Sequence, residues 1–302
     1  MKDNLPNFLI VGAAKCGTSS LHNYLNQHPD VFLPSYNEQG MKVKEPRFLI
    51  KDLVKDRLHN GVWDFKSYQA LFDIVLNEKA IGESTVLYLY YYNEAIKNIK
   101  KYLGDDVKII IMLRNPVDRA FSAYTHVSRS LKESLSFEKA LEIEANRLGN
   151  DETLTPMVMY KAMGLYHDMV NAYVENFKNV HVIMYEDFQQ NTKEVVNQTL
   201  VFLGILKGVE LDTQSKHNVG GKSWRFSFLK YFFMKDNFIK KGLRITFPKT
   251  LRKKFSVLLE YLLKVKVNPI NPETKKELIS FFRNDVEKLE KLLSVDLKNW
   301  KE

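Results

Sequence analysis

The sequence predicts an α/β fold in which helices cover both faces of a central parallel sheet. Short apolar runs of strand length alternate with helical patterns through the first two-thirds of the chain. These runs are rich in Val, Ile and Leu, a composition typical of strands that are buried on both faces of a parallel sheet. We therefore expect a three-layer sandwich whose ligands bind beyond the carboxyl ends of the strands.

Four apolar runs are predicted to form the strands, at 8–11, 80–82, 107–113 and 180–185. The run at 107–113 has the strongest signal, because six of its seven residues are apolar. The segments that directly follow these runs are where we expect binding and catalysis.

Helical patterns occupy the intervals between the strands. The first begins near Thr18, and the second begins at Asn115 and Pro116, since Asn favours the capping position and Pro the first helical position. Another pattern runs from Thr192 to Gly204, and glycine commonly ends a helix. Further helices are expected at 135–148, at 157–177 and from Asn271 onward.

Composition limits the class of protein. The 302 residues are 45% hydrophobic and 27% charged, which excludes collagenous, coiled-coil and disordered chains. The single cysteine, Cys16, excludes an internal disulfide framework and a cysteine-built zinc site, and it favours a reducing environment. No apolar run approaches the roughly 18 residues of a membrane-spanning helix. We expect a soluble, cytoplasmic protein whose residues 1–302 form a single domain.

Positive charge is concentrated in a basic segment at 222–267. This segment holds 13 basic and two acidic residues, whereas the whole chain has a net charge of +9. Aromatic residues are interleaved with the basic ones, so we expect a helical insertion into the domain. Its basic face either is simply solvated or binds an acidic partner, such as an anionic substrate or the anionic lipid of an inner membrane surface. No motif typical of nucleic-acid binding accompanies it.

The loop after the first strand resembles a phosphate-binding loop. It runs from Gly12 to Ser19, and its two glycines have the spacing of the pattern G-x-x-x-x-G-K-[ST]. Thr18 stands at the lysine position, but Lys15 supplies a cation three residues earlier. Small residues and a helix N-terminus suit an anion, so a P-loop-like sandwich is expected. The alternative is a plain glycine-rich turn between strand and helix.

A second anion site is predicted at the end of the strand 107–113. Arg114 follows this strand directly, and Ser122 lies eight residues later in the next helix. A guanidinium and a hydroxyl together suit phosphate oxygens. The alternative is that Arg114 only pairs with Asp118. Two such sites beyond neighbouring strands suggest one ligand that carries phosphate groups at two separated positions.

Together the motifs resemble those of sulfotransferases that use 3′-phosphoadenosine 5′-phosphosulfate (PAPS). The most similar branch is the heparan-sulfate-type group with its bacterial relatives. The resemblance covers about 7–205 and returns weakly at 216–225 and 268–300. It rests on the residues at 12–21, 28–30, 44–48, 114–124, 164–166 and 185–188.

The resemblance implies a role for each matching residue. The 5′-phosphosulfate would be held by the loop residues Ala14, Lys15, Cys16, Gly17, Thr18 and Ser19, and the 3′-phosphate by Arg114 and Ser122. Glu45 would be the base that takes the acceptor proton, and Lys15 would stabilise the leaving phosphate. A loop with Gly221, Lys222 and Arg225 would close over the 3′-phosphate. Arg47, which stands where relatives often have His, and Glu83 would contact the acceptor.

The implied reaction moves a sulfuryl group to a hydroxyl or amine, most simply of a carbohydrate or a lipid-linked glycan, and needs no metal. Two rival functions stay open at this point. One is a P-loop kinase-like phosphoryl transferase, and the other is a peripheral module that binds anionic membranes through 222–267. For Glu45 the alternative role is a surface carboxylate paired with Lys44 or Arg47.

Overall fold

Five parallel strands form the central sheet of the structure, a computed structural model that describes residues 4–36, 40–41, 43–129, 133–205, 208–214, 222–224 and 264–302. The strand order is β2-β3-β1-β4-β5. The strands are β1 (Phe8–Gly12), β2 (Val31–Phe32), β3 (Ala80–Ser84), β4 (Lys108–Leu113) and β5 (Val180–Met184). Their carboxyl ends therefore lie along a single edge, as the predicted fold requires.

The helices that cover this sheet follow in chain order. They are α1 (Thr18–Leu25), α2 (Lys51–Val54), α3 (Phe65–Ala70), α4 (Tyr92–Tyr102), α5 (Pro116–Arg129), α6 (Phe137–Glu142), α7 (Glu144–Asn150), α8 (Tyr166–Asn176), α9 (Tyr185–Gln190), α10 (Thr192–Leu203) and α11 (Pro272–Leu293). Short 3₁₀ turns occupy Phe48–Ile50, Pro156–Val158, Ala162–Gly164 and Lys298–Trp300.

The core lies on both faces of the central strands. Every residue of β1 and all but the first of β4 are buried. One group of helices comprises α1, α9 and α10, and another comprises α4, α5, α8 and α11. The predicted parallel sheet with flanking helices is confirmed.

The two longest predicted helical stretches differ from the structure. The stretch at 135–148 is divided into α6 and α7, which meet at Ile143. The stretch at 157–177 begins with two 3₁₀ turns, and only Tyr166–Asn176 is an α-helix. Gly164 explains part of this irregularity, because a Cβ there would lie 2.8 Å from the Phe282 ring of α11. This close approach of backbone to ring requires glycine.

The ends of the basic segment 222–267 form a second, two-stranded sheet. β6 (Lys222–Trp224) pairs antiparallel with β7 (Lys264–Lys266), and Lys222 lies opposite Lys266. β6 lies against α5. The helical insertion was predicted at about 222–267. Its two ends form strands rather than helices, and 225–263 lies outside the described residues. The single-domain organisation stays a prediction. In the portion of the chain that the structure covers, no helix combines the length and apolarity needed to cross a membrane.

Candidate active site

A cleft of about 1350 Å³ opens beyond the carboxyl ends of β1 and β4. Its walls come from the β1–α1 loop, the segment around Glu45, helix α5 and residues 267–269 after β7. Nine of the predicted site residues line it: Ala14, Lys15, Gly17, Thr18, Ser19, Glu45, Arg47, Arg114 and Ser122. The structure therefore brings both predicted anion sites and the predicted base into one cavity.

The β1–α1 loop turns sharply at the sheet edge so that α1 begins at the cleft. Its Ala13 N–H donates to the Met112 carbonyl of β4 at 2.7 Å, which ties the loop to the neighbouring strand. Gly17 caps α1 with φ +89°, and a Cβ there would lie 3.0 Å from the Tyr185 ring. Both the conformation and the contact favour glycine. The N–H groups that begin α1 have no earlier turn to bond, so they suit an anion.

Lys15 is a largely buried cation at the cleft. Among the residues that the structure describes, no carboxylate lies within ion-pair distance of its ammonium group. Burial, together with the positive charges of Arg129 and Arg114, lowers the pKa of Lys15 to about 8. Three positive charges lie close enough to affect one another, and Lys15 itself has no carboxylate partner among the described residues, which suits a site that an anionic ligand completes.

Arg114 lies at the end of β4, as predicted, and contacts Tyr185 and Asp118. Its guanidinium carbon lies 4.8 Å from the centroid of the Tyr185 ring, within the range of a cation–π contact. The Asp118 carboxylate, the alternative partner, is 3.8 Å away and 59% exposed. That pair is long and solvated, so Arg114 keeps most of its capacity for another anion.

Two tyrosines connect the two anion sites. The ring of Tyr185 touches Gly17 of the first site and Arg114 of the second. The hydroxyl of Tyr166 donates to the Arg114 carbonyl at 3.0 Å and lies 3.9 Å from Cys16 Sγ in the loop. The two sites are therefore neighbours on one wall of the cleft, rather than features of separate surfaces.

Glu45 lies between two cations at the cleft. Its carboxylate is 3.2 Å from Arg47 Nη2 and 3.9 Å from Lys44 Nζ, and the side chain is 23% exposed. Arg47 also donates to the Asn60 carbonyl. The ion pair that formed the alternative prediction is thus present, but it lies within the cavity that also contains Lys15 rather than on the outer surface.

Helix α5 contributes two residues that the sequence prediction missed, His126 and Arg129. Both line the cleft. Burial lowers the pKa of His126 to about 4, and the charges of Lys15 and Arg129 act in the same direction, so the imidazole is neutral at pH 7. They follow Ser122 by four and seven residues, and this spacing places all three on one helix face. That periodicity is the signal in the sequence that could have revealed them.

Two predicted site residues lie outside the cleft. Cys16 is fully buried beneath the loop, its N–H donates to the Ala13 carbonyl, and burial raises the pKa of its thiol to about 12. Its side chain therefore has no direct path to a ligand. Glu83 is also 0% exposed, because its position on β3 points the carboxylate into a group of buried hydroxyls. The expected contact of Glu83 with the acceptor does not fit this position.

Comparison with known proteins identifies the family. The model of the sulfotransferase domain family matches residues 5–253. This chain is a sulfotransferase family member. A solved sulfotransferase from Alicyclobacillus acidocaldarius is 32% identical, with 99% of each chain covered and a TM-score of 0.72. The similarity thus covers nearly the full length of both chains.

Curated relatives include larger sulfotransferases. Carbohydrate sulfotransferase 15 of Mus musculus is 24% identical over 67% of this chain and 44% of its own length. Bifunctional heparan sulfate N-deacetylase/N-sulfotransferase 2 of Homo sapiens is 32% identical over 41% of this chain and 13% of its own. The chain thus spans less than half the length of these relatives.

The predicted closing loop of this sulfotransferase lies at the border of the described region. Gly221 and Arg225 fall outside the described residues, and Lys222 begins β6. Because β6 lies against α5, which carries Ser122, and residues 267–269 line the cleft, the backbone of this sheet is next to the cavity. The role of the loop over a 3′-phosphate stays a prediction.

Proposed function

We propose that this chain transfers a sulfuryl group from PAPS to a hydroxyl or amine of a carbohydrate. The observation that carries the proposal is the cluster of Lys15, Arg114 and Arg129, which lines the same cleft as Glu45 and whose Lys15 has no ion-pair partner among the described residues. The family and the names of its carbohydrate-directed relatives support the same reaction. A kinase-like phosphoryl transfer and a purely membrane-binding role have no comparable support.

The residues fit a nucleotide with phosphate groups at two ends. Lys15, the hydroxyls of Thr18 and Ser19 and the start of α1 would hold the 5′-phosphosulfate. Arg114, which lies over the Tyr185 ring, and Ser122 would hold the 3′-phosphate. The cavity of about 1350 Å³ exceeds the roughly 300–1,000 Å³ of a typical small-ligand pocket, which leaves room for a sugar beside the nucleotide.

In the proposed reaction, the bond between sulfur and the 5′-phosphate oxygen breaks as the acceptor forms a new bond to sulfur. Negative charge develops on the departing phosphate oxygen, where the fixed ammonium of Lys15 stabilises it. Glu45 takes the proton that the acceptor hydroxyl or amine loses. Arg129 adds a second positive charge beside Lys15, and the neutral His126 can accept a hydrogen bond. These cations supply the charge that kinases take from magnesium, so no metal is required.

Nucleotide affinity should depend on pH through Lys15. The pKa of Lys15 is about 8 in the folded protein without ligand, against 10.5 in an unfolded chain. Phosphates favour the charged lysine, so binding raises that pKa again. Affinity for adenosine 3′,5′-bisphosphate, the desulfated product, should therefore fall by only about twofold between pH 7 and 8 and by up to about tenfold per pH unit above 8. Titration calorimetry measures this, and Lys15→Met should remove the decline. A decline that persists in Lys15→Met would contradict the assignment.

The proposed function is tested by incubation with ³⁵S-labelled PAPS and a panel of glycans, lipids and small alcohols. We expect label in at least one glycan, with none transferred from γ-³²P-ATP and magnesium. Transfer only to lipids or simple alcohols would contradict the carbohydrate acceptor. Transfer from ATP in place of PAPS would contradict the reaction itself. Contact of 222–267 with an anionic membrane and a cytoplasmic location stay predictions.

A further inference from the structure

Glu83 lies in a buried group of hydroxyls next to the cleft. Its Oε1 accepts hydrogen bonds from Tyr88 at 2.7 Å and from Tyr68 at 3.3 Å, and its Oε2 accepts one from Thr85 at 2.7 Å. Within the described residues no lysine or arginine pairs with it. A buried carboxylate is most often paired with a cation. One that instead accepts hydrogen bonds from three hydroxyl groups is unusual.

Two of these hydroxyls also accept hydrogen bonds from the backbone of the chain segment that follows Glu45. Thr85 Oγ1 accepts from the Arg47 N–H at 3.2 Å, and Tyr88 Oη accepts from the Leu49 N–H at 3.3 Å. A hydroxyl has one proton to donate. Because Glu83 receives that proton from both hydroxyls, their lone pairs are left for the two backbone N–H groups.

The segment that these bonds hold has a strained conformation. Arg47 has φ +59°, in the left-handed region, which is unfavourable for a residue other than glycine. Further hydrogen bonds hold the same segment: Val62 N–H to the Pro46 carbonyl at 2.8 Å and Asn98 Nδ2 to the Leu49 carbonyl at 2.8 Å. Surrounding bonds of this kind keep a strained residue in place, and such strain is common at functional sites.

The negative charge of Glu45 acts on Glu83. Burial is the largest cause that raises the pKa of Glu83 to about 7, the three hydroxyl hydrogen bonds oppose it, and the charge of Glu45 adds to it. Of the two carboxylates, only Glu45 lines the cavity.

We propose that Glu83 is a positioning residue that fixes the Glu45 carboxylate through two hydroxyl relays, Thr85 to the Arg47 backbone and Tyr88 to the Leu49 backbone. Glu83 makes no contact with substrate. Its three hydrogen bonds set the direction of both relays, and the relays hold the left-handed turn at Arg47, from which Glu45 and Arg47 face the cleft. This inference rests on the proposed function, since it assigns Glu45 the role of base.

The sharpest test removes the Thr85 hydroxyl and leaves the carboxylates of Glu45 and Glu83 in place. Thr85→Val keeps the size of the side chain but loses the hydroxyl, whereas Thr85→Ser keeps the hydroxyl. Misplacement of a reacting group by about 1 Å can lower a rate by about 100-fold. We expect kcat of Thr85→Val to fall by about 10- to 100-fold, with affinity for adenosine 3′,5′-bisphosphate within about twofold of wild type. Thr85→Ser should retain most of the wild-type kcat.

Amide hydrogen exchange gives a second readout that does not depend on turnover. The Arg47 amide should exchange faster in Thr85→Val, and the Leu49 amide should exchange faster in Tyr88→Phe. The matched control is Thr199→Val, because Thr199 is also fully buried but donates to the Val195 carbonyl within α10. It should change neither kcat nor exchange at Arg47.

Three results would overturn the inference: wild-type kcat in Thr85→Val, an equal loss in Thr85→Ser, or unchanged protection of the Arg47 amide. A wild-type protein that transfers no sulfuryl group to any acceptor would instead refute the proposed function. Amide exchange would still decide whether the relay holds the turn.

Discussion

Glu45→Gln should lower kcat by about 10²- to 10⁴-fold, the range typical for loss of a general base. The amide keeps the size of the side chain but cannot take the acceptor proton. Affinity for adenosine 3′,5′-bisphosphate should stay within about twofold of wild type, because the proposed phosphate contacts come from the β1–α1 loop and from Arg114. Steady-state kinetics with labelled PAPS, together with titration calorimetry, measures the two quantities separately.

Glu142→Gln is the matched control for this substitution. Glu142 also forms an ion pair with a nearby lysine, Lys139, at 2.8 Å, but it lies outside the cleft. Its loss should leave kcat unchanged. A Glu45→Gln enzyme with wild-type kcat would remove Glu45 from the mechanism. If Arg47→Met lost as much activity as Glu45→Gln at unchanged nucleotide affinity, the ion pair rather than proton transfer would explain the effect.

Lys15→Met should lower kcat by about 10²- to 10³-fold even at saturating PAPS, as removal of one preorganised donor to a developing charge does in other enzymes. The same substitution should raise the melting temperature of the ligand-free protein. The folded state carries a desolvated cation beside Arg129 and Arg114, and methionine removes that unfavourable charge while keeping a similar volume. Kinetics at saturating donor and differential scanning calorimetry measure the two effects.

Lys100→Met serves as the control, because Lys100 lies in the last turn of α4 and does not line the cleft. It should leave kcat unchanged. A Lys15→Met enzyme in which only KM for PAPS rises would show that Lys15 binds the donor equally in the ground state and transition state. A lower melting temperature would contradict the view that this cation is held at the expense of stability.

The sheet and both anion sites could be predicted from the sequence because their signals are local. Buried strands are continuous apolar runs, and Lys15 and Arg114 stand directly after two of them. β2 has only two residues, too few to give a pattern, and it was not predicted. The α/β class was predicted correctly because it depends on these local apolar runs. The helix boundaries predicted at 135–148 and 157–177 were wrong.

The rest of the site depends on contacts between distant parts of the chain. His126 and Arg129 share a helix face with Ser122, but that this face of α5 lines the cleft depends on how the helix packs in the fold. Glu83 was predicted to face the acceptor, since it lies near a strand end, but strand alternation points it toward Tyr68 and Tyr88. Which side of β3 faces the cleft follows only from how the neighbouring elements pack.

The proposed function depends most on Lys15 and Arg114 binding opposite ends of one nucleotide. The most direct test measures the affinities of wild type, Lys15→Met and Arg114→Met for adenosine 3′,5′-bisphosphate, adenosine 5′-phosphate and adenosine 3′-phosphate. A hydrogen bond to a charged group contributes about 1.5–3 kcal/mol, or about 10- to 100-fold in affinity. We expect Arg114→Met to lose that factor for both nucleotides with a 3′-phosphate and nothing for adenosine 5′-phosphate. Lys15→Met should show the reverse selectivity, and equal losses for all three nucleotides in both variants would contradict the claim.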